Sequence, residues 1–218
     1  MEKLIRYGII GIGGMGANHA NLLLQNKINN ACLASVCDMN KSFANNFADI
    51  PFYSNVSDFF NKEKIDVAII ATPHRSHVNL GKEALENHIN IIIEKPLAVT
   101  TKQCREFIEF SKNYDSKFGI MLNQRTNPAF IKLKKMITSG ELGKIHRYQW
   151  TITDWFRTNY YYNISDWRAT WKGEGGGVLM NQSIHQLDLC QWLFGMPDSV
   201  ITDMQLGHFH NIEVEDEV

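Results

Sequence analysis

The sequence predicts an α/β fold: a doubly wound parallel sheet over residues 1–122, followed by an incomplete α+β domain over 123–218 with an open antiparallel sheet. The first half alternates short, near-continuous apolar runs with amphipathic stretches. Strands that are apolar on both faces belong to a parallel sheet covered by helices on both sides. The first apolar run leads directly into the glycine-rich turn GIGGMG (11–16). Beyond residue 122 the period changes to alternating apolar and polar positions, as in strands with one wet face.

The elements follow in order. LIRYGIIG (4–11) is a strand and the stretch from about Met15 to Gln25 a helix. ACLASVCD (31–38) is the next strand, followed by a helical stretch around Lys41–Phe47. DVAIIAT (66–72) precedes the helix HVNLGKEALENH (77–88), and NIIIEKP (90–96) precedes the helix TKQCREFIEFSKNY (101–114). KFGIMLNQ (117–124) closes the series. In the second half PAFIKLKKMITSG (128–140) has an apolar helical stripe and a glycine stop. KIHRYQWTITDWF (144–156) and SVITDMQLGHFHN (199–211) read as half-exposed strands. Between them GGGVLMNQSIHQLDL (175–189) is a glycine turn running into a helix, with Asn181, His185 and Asp188 spaced to share one side.

Composition excludes several classes. A net charge of −1 on 218 residues offers no electrostatic reason for a nucleic acid or an anionic membrane as partner. The amino-terminal apolar run is too short to span a bilayer and lacks a cleavage site. Cys32, Cys37, Cys104 and Cys190 lack metal-ligand spacing, so no metal is expected. Unpaired thiols suit a reducing cytoplasm.

The turn GIGGMG holds Gly11, Gly13 and Gly16 in the G-x-G-x-x-G spacing between a strand and a helix, the context a dinucleotide-binding turn requires. Gly11 permits the tight turn, Gly13 lets backbone approach a pyrophosphate, and Gly16 allows close packing; Ile12, Gly14 and Met15 complete the loop. The helix amino terminus offers unpaired N–H groups and a positive dipole end to phosphate. Asp38 ends the second strand, where a carboxylate accepts from ribose hydroxyls and repels a 2′-phosphate. NAD is therefore expected over NADP, with Arg75 and Lys41 as the cations that could reverse that preference.

Four stretches together resemble the Gfo/Idh/MocA oxidoreductases: GIGGMG, ATPHRSH (71–77), EKPLA (94–98) and GGGVLMNQSIHQLD (175–188). WRATWKGEGGG (167–177) and NQR (123–125) resemble a sugar-dehydrogenase-like branch. The resemblance implies a Rossmann domain followed by a domain with a large, open antiparallel sheet that often forms the subunit interface. It also implies hydride transfer between a sugar, cyclitol or related polyol and NAD(P). Thr72, Pro73, His74, Glu94 and Lys95 then join the cofactor-binding set, and Pro96 follows a cis bond. Lys95 would stabilise negative charge developing on the substrate oxygen, and His185 would act as general base. Arg125, Asn181, His185, Trp167 and Lys172 would contact substrate.

Asn181 departs from the aspartate common at that position in the family. An amide can hold an imidazole or a hydroxyl but cannot stabilise positive charge as a carboxylate does, so Asn181→Asp is expected to raise the pKa of His185. Aromatics crowd the segment from Tyr148 to Trp171, with Trp150, Trp155, Trp167, Trp171 and Tyr160 to Tyr162. Some would stack on sugar rings and the rest pack the second domain, while Asp154, Arg157 and Arg168 could bind hydroxyls or an acidic group. Relatives of this kind run longer, so the last strands are expected to be missing. The uncovered sheet would then favour a homo-oligomer. Two rival readings remain: an NAD-dependent glycosidase on the same scaffold, and an NAD-binding regulator or remnant without turnover.

Overall fold

The computed structural model describes residues 3–153 and 156–218, so Asp154 and Trp155 lie outside the described residues. The chain divides into two compact units, Met1–Met121 and Leu122–Val218.

The first unit contains β1 (Ile5–Ile10), α1 (Gly14–Leu24), β2 (Ala31–Cys37), a 3-10 stretch (Lys41–Phe47), β3 (Phe52–Tyr53), α2 (Val56–Lys62), β4 (Val67–Ile70), α3 (His77–Glu86), β5 (Asn90–Ile93), α4 (Thr101–Ser111) and β6 (Phe118–Ile120). All strand pairs are parallel, in the order β3-β2-β1-β4-β5-β6. That order reverses between β1 and β4, and in such sheets the crevice at the reversal, beyond the strand carboxyl ends, is the ligand site.

Alternation along the strands feeds two apolar layers. Ile10 and Ile70 join Phe59, Leu85, Ile91 and Phe107 on one face, while Ile9 and Ile69 join Leu23, Leu33 and Val36 on the other. Most of these side chains are wholly buried, each stabilising the fold by about 1.5–3 kcal/mol. Polar residues fix the helix starts: Asn55 accepts from the Asp58 N–H at the head of α2, and Thr100 from the Gln103 N–H at the head of α4. β3 and α2 were not anticipated from the sequence. Two strand residues carry too little alternation to register, and α2 is shorter than the window over which helical period can be read.

The second unit contains α5 (Pro128–Thr138), α6 (Asn159–Asn163), a π-helical turn (Val178–Gln182), α7 (Ile184–Phe194), β7 (Gln205–Leu206) and β8 (Glu215–Glu217). Asn127 caps α5 through the Ala129 N–H, with Pro128 at the first helical position. Lys134 of α5 donates to the carbonyl of Trp192 (2.5 Å) and reaches that of Leu193 (3.4 Å), where the dipole of α7 favours a cation. The buried apolar residues here are a small cluster of Tyr162, Ala169 and Val214, with Leu189 and Leu193 buried on α7.

Three expectations for this unit are corrected. Residues 144–153 form no strand and are exposed throughout; the pattern suits a strand, but among the described residues no neighbour pairs with it. Of 199–211 only Gln205–Leu206 is a strand, paired antiparallel with β8. Among the described residues the open sheet is thus a two-stranded ribbon. The helix expected to run unbroken through 181–189 begins at Ile184. Before it the Ser183 N–H reaches back five residues to the Val178 carbonyl at 2.8 Å.

Candidate active site

In the first unit the turn after β1 shows why glycines occupy it. Gly11 has φ +88°, a conformation open to glycine, and a Cβ there would sit 2.8 Å from the Ala71 carbonyl carbon. A Cβ on Gly16 would fall 1.7 Å from the Gly11 carbonyl oxygen. Gly13 and Gly14 behave oppositely: nothing lies within 4 Å of an added Cβ, and both are exposed, as is Met15. Buried glycines hold the turn closed while its outer backbone stays open, a cradle suited to a pyrophosphate at the head of α1. Asp38, one residue past β2, accepts from the Ile12 N–H at 2.8 Å with one oxygen and from the Asn40 N–H at 2.8 Å with the other. Each oxygen keeps a second lone pair, so bracing the turn leaves Asp38 able to accept from ribose hydroxyls.

The turns after β4 and β5 are tied together. His77 opens α3 wholly buried, with Nδ1 2.8 Å from the Pro96 carbonyl oxygen and Nε2 2.8 Å from that of Thr72. Burial pushes the His77 pKa below its ordinary 6.5, against the pull of those two carbonyls. Thr72 and Ser76 share a hydroxyl hydrogen bond of 2.7 Å, and the Ser76 hydroxyl donates to the Pro73 carbonyl. His74 is buried in the same turn, and the Lys95–Pro96 bond is cis. Glu94 is buried; it accepts from His19 Nε2 at 2.7 Å and from the Lys95 N–H at 3.3 Å. His19 went unread in the sequence. Its signal was its place three residues after Gly16, on the helix face that Gly16 packs inward.

In the second unit two of the three residues expected on one side of the helix, Asn181 and Asp188, are held by different groups. Asp188 makes a two-pronged ion pair with Arg125, 2.8 Å to Nε and 2.5 Å to Nη2. Arg125, read as a substrate ligand, is thus held by a carboxylate whose side chain is buried, and the hydrogen bonds to Asp188 push its guanidinium pKa further up. Asn181 is buried and donates to Glu174 and to the Tyr161 hydroxyl. Trp167 carries the Arg168 guanidinium over its ring at 4.7 Å, and Lys172 is exposed.

Two acidic residues missed in the sequence organise this unit. Glu215 of β8 accepts from the Gly177 and Leu179 N–H groups at 2.9 and 3.1 Å, and a Cβ on Gly177 would strike its carbonyl oxygen. The glycine run therefore lets β8 approach the π turn. For Asp216, burial alone would raise the carboxyl pKa, but His210 and the N–H groups of residues 208–210 outweigh it and hold it low. Beside that pair lies a cavity of about 170 Å³, lined among others by Arg157, Tyr162, Gln182 and Phe209. Among the described residues no group of three or more His, Cys, Asp or Glu is placed to hold a metal, and no helix is long and apolar enough to cross a membrane.

A reversing parallel sheet, a closed glycine turn open on its outer side and a strand-end aspartate define an NAD-binding α/β protein. Residues 5–121 match the oxidoreductase family with an NAD-binding Rossmann fold, and residues 130–218 match the GFO/IDH/MocA C-terminal domain. The chain belongs to the Gfo/Idh/MocA oxidoreductases. The oxidoreductase YdgJ of Escherichia coli is 29% identical over 94% of this chain, which spans 58% of that protein. An inositol 2-dehydrogenase of Salmonella typhimurium is 30% identical over 64% of this chain and 43% of its own length. The WlbA dehydrogenase of Bordetella pertussis, solved with NADH and UDP-GlcNAcA, superposes with a TM-score of 0.86 at 27% identity, over 99% of this chain and 65% of WlbA.

Proposed function

We propose that the chain carries the cofactor site and reacting groups of an NAD-dependent dehydrogenase that oxidises a hydroxyl of a sugar, cyclitol or nucleotide-linked sugar. The observation that carries this reading is the open glycine turn braced by Asp38, beside a Glu-Lys-Pro turn locked by His19 and His77. Gly11 to Gly16, Thr72, Pro73 and His74 would hold the cofactor, and Asp38 would favour NAD over NADP by accepting from the ribose. When bound, the nicotinamide accepts the hydride.

Lys95 steadies charge on the substrate oxygen, with Glu94 and His19 fixing its main chain. His185 takes the hydroxyl proton, a task suited to imidazole near neutral pH. Trp167 and Lys172 offer a ring face and a cation to the sugar. Arg125 contributes through its pair with Asp188.

NADH and NADPH titrations followed by nicotinamide fluorescence test the cofactor. A panel of myo-inositol, scyllo-inositol, free sugars and UDP-GlcNAcA with NAD, followed by NADH absorbance, tests the reaction. Tighter NADPH binding, or aryl glycoside cleavage without NADH release, would replace this reading. Lys95→Ala and His185→Ala should each lower kcat by at least about a hundredfold, and His185→Ala should leave NADH affinity within a few-fold.

A further inference from the structure

We infer that Asp38 holds the glycine turn closed as a positioning residue, which couples ribose selectivity and diphosphate binding through one side chain. This rests on the reading of that turn as the cofactor site. The backbone ladder between β1 and β2 ends where the Gly11 N–H donates to the Cys37 carbonyl at 2.8 Å. The next donor along, the Ile12 N–H, goes to the Asp38 carboxylate, also at 2.8 Å. The side chain thus supplies one more rung at the point where the backbone leaves the sheet for α1. Ile12 is 2% exposed, whereas Gly13 and Gly14 beside it are exposed.

Asp38 is itself held from two directions. Its N–H donates to the Tyr53 carbonyl at 3.0 Å, at the end of β3. Its other oxygen accepts from the Asn40 N–H, and Asn40 Oδ1 accepts from the Ser42 N–H at 3.1 Å and from the Ser42 hydroxyl at 2.7 Å. The carboxylate is therefore aimed by the loop after β2 and by the strand beside it, and the turn between β1 and α1 hangs on it.

The two N–H groups on Asp38 differ in what they lose without it. Asn40 is exposed, so water replaces the carboxylate there. Ile12 is buried, and a buried N–H deprived of its acceptor destabilises the turn until it opens to water. In Asp38→Asn one acceptor oxygen remains for the Ile12 N–H, and Asn40 is left to solvent. The uncharged amide no longer repels a 2′-phosphate. Asp38→Ala removes the repulsion as well but leaves Ile12 without its acceptor. Loss of the negative charge alone favours a diphosphate in both variants. A weaker diphosphate in Asp38→Ala therefore has the sign that an opened turn produces and a missing charge does not. A change of cofactor preference at this position thus requires a neutral acceptor, not merely a smaller side chain.

The test is calorimetric titration of the full chain with NADH, NADPH and dideoxyadenosine diphosphate, which carries the diphosphate without ribose hydroxyls. Amide hydrogen exchange of Ile12 gives a readout that needs no ligand. Asp38→Ala should weaken binding of the dideoxy diphosphate about tenfold or more and speed Ile12 exchange by a similar factor. Asp38→Asn should keep the dideoxy diphosphate within about threefold of the parent and Ile12 protected, while cutting the preference for NADH over NADPH at least about tenfold. In the parent, Ile12 should exchange at least about a hundredfold more slowly than Gly13 and Gly14, a measurement that depends on no variant folding. Equal rates there would overturn the inference. So would unchanged or tighter binding of the dideoxy diphosphate by Asp38→Ala, or equal losses in the two variants. A parent that binds neither NADH nor the dideoxy diphosphate would sink the cofactor reading itself. A parent that binds both, with the two variants alike, would remove this inference alone.

Discussion

The two units are held together by different means. In the first, apolar side chains fill both faces of a six-stranded sheet, and polar residues do local work at helix caps and turns. In the second, the buried apolar residues among those described are few, Tyr162, Ala169 and Val214 in one cluster with Leu189 and Leu193 on α7, and buried carboxylates hold the chain: Glu174, Glu215, Asp188 and Asp216, each with N–H or cationic partners. An apolar core tolerates small shifts because its attraction is non-directional, whereas a carboxylate network depends on each donor staying in place. The first unit should therefore respond to volume and the second to hydrogen-bond chemistry.

That contrast can be broken in order of expected size. Phe59 is wholly buried against Tyr53 and Phe60, so Phe59→Ala should cost about 3–5 kcal/mol in urea unfolding. Phe156→Ala, at a 72% exposed position in the second unit, should stay within about 0.5 kcal/mol. Equal losses from the two would end the comparison. Gly16→Ala forces a methyl onto the Gly11 carbonyl and should weaken NADH binding at least about tenfold in fluorescence titration, near 1.4 kcal/mol. Arg125→Ala strands Asp188, whose side chain is 8% exposed; because Arg125 is itself 39% exposed, about 1 kcal/mol is expected by thermal melting.

The smallest effect is a pH slope. His77 binds its proton less readily folded than unfolded, so its contribution is complete above the ordinary 6.5 and declines as pH falls from there toward the folded value. Urea midpoints should drop between neutral and mildly acidic pH, and less so in His77→Gln. An unchanged slope in that variant would assign the dependence to other groups.

The first unit was legible because its signals are local. A buried parallel strand is a run of apolar residues, and a dinucleotide turn is a spacing of glycines, whatever lies elsewhere in the chain. What escaped notice there was relational: His19 meets Glu94 across 75 residues, and His77 joins two turns whose carbonyls carry no side-chain signature. The second unit was harder because strands exist only where partners do. Residues 144–153 have the alternation of a strand without a neighbour among the described residues. The acidic tail EVEDEV carries no local signal of burial, yet Glu215 and Asp216 are bound inside. Lys95 and His185 were picked out through resemblance, since a lysine at a strand end and a histidine in a helix look ordinary by themselves.

The π turn ahead of α7 has a consequence for inheritance. A turn closed by a bond five residues long holds one residue more than an ordinary helical turn, and each residue turns the helix by about 100°. Loss of a single codon between Val178 and Gln182 would leave α7 in phase with Arg125 and Lys134 while swinging everything ahead of it about a quarter turn. The pairing of Asn181 with Glu174 and the grip of Glu215 on Gly177 are thus one in-frame deletion away from separation, although every residue that makes them could survive.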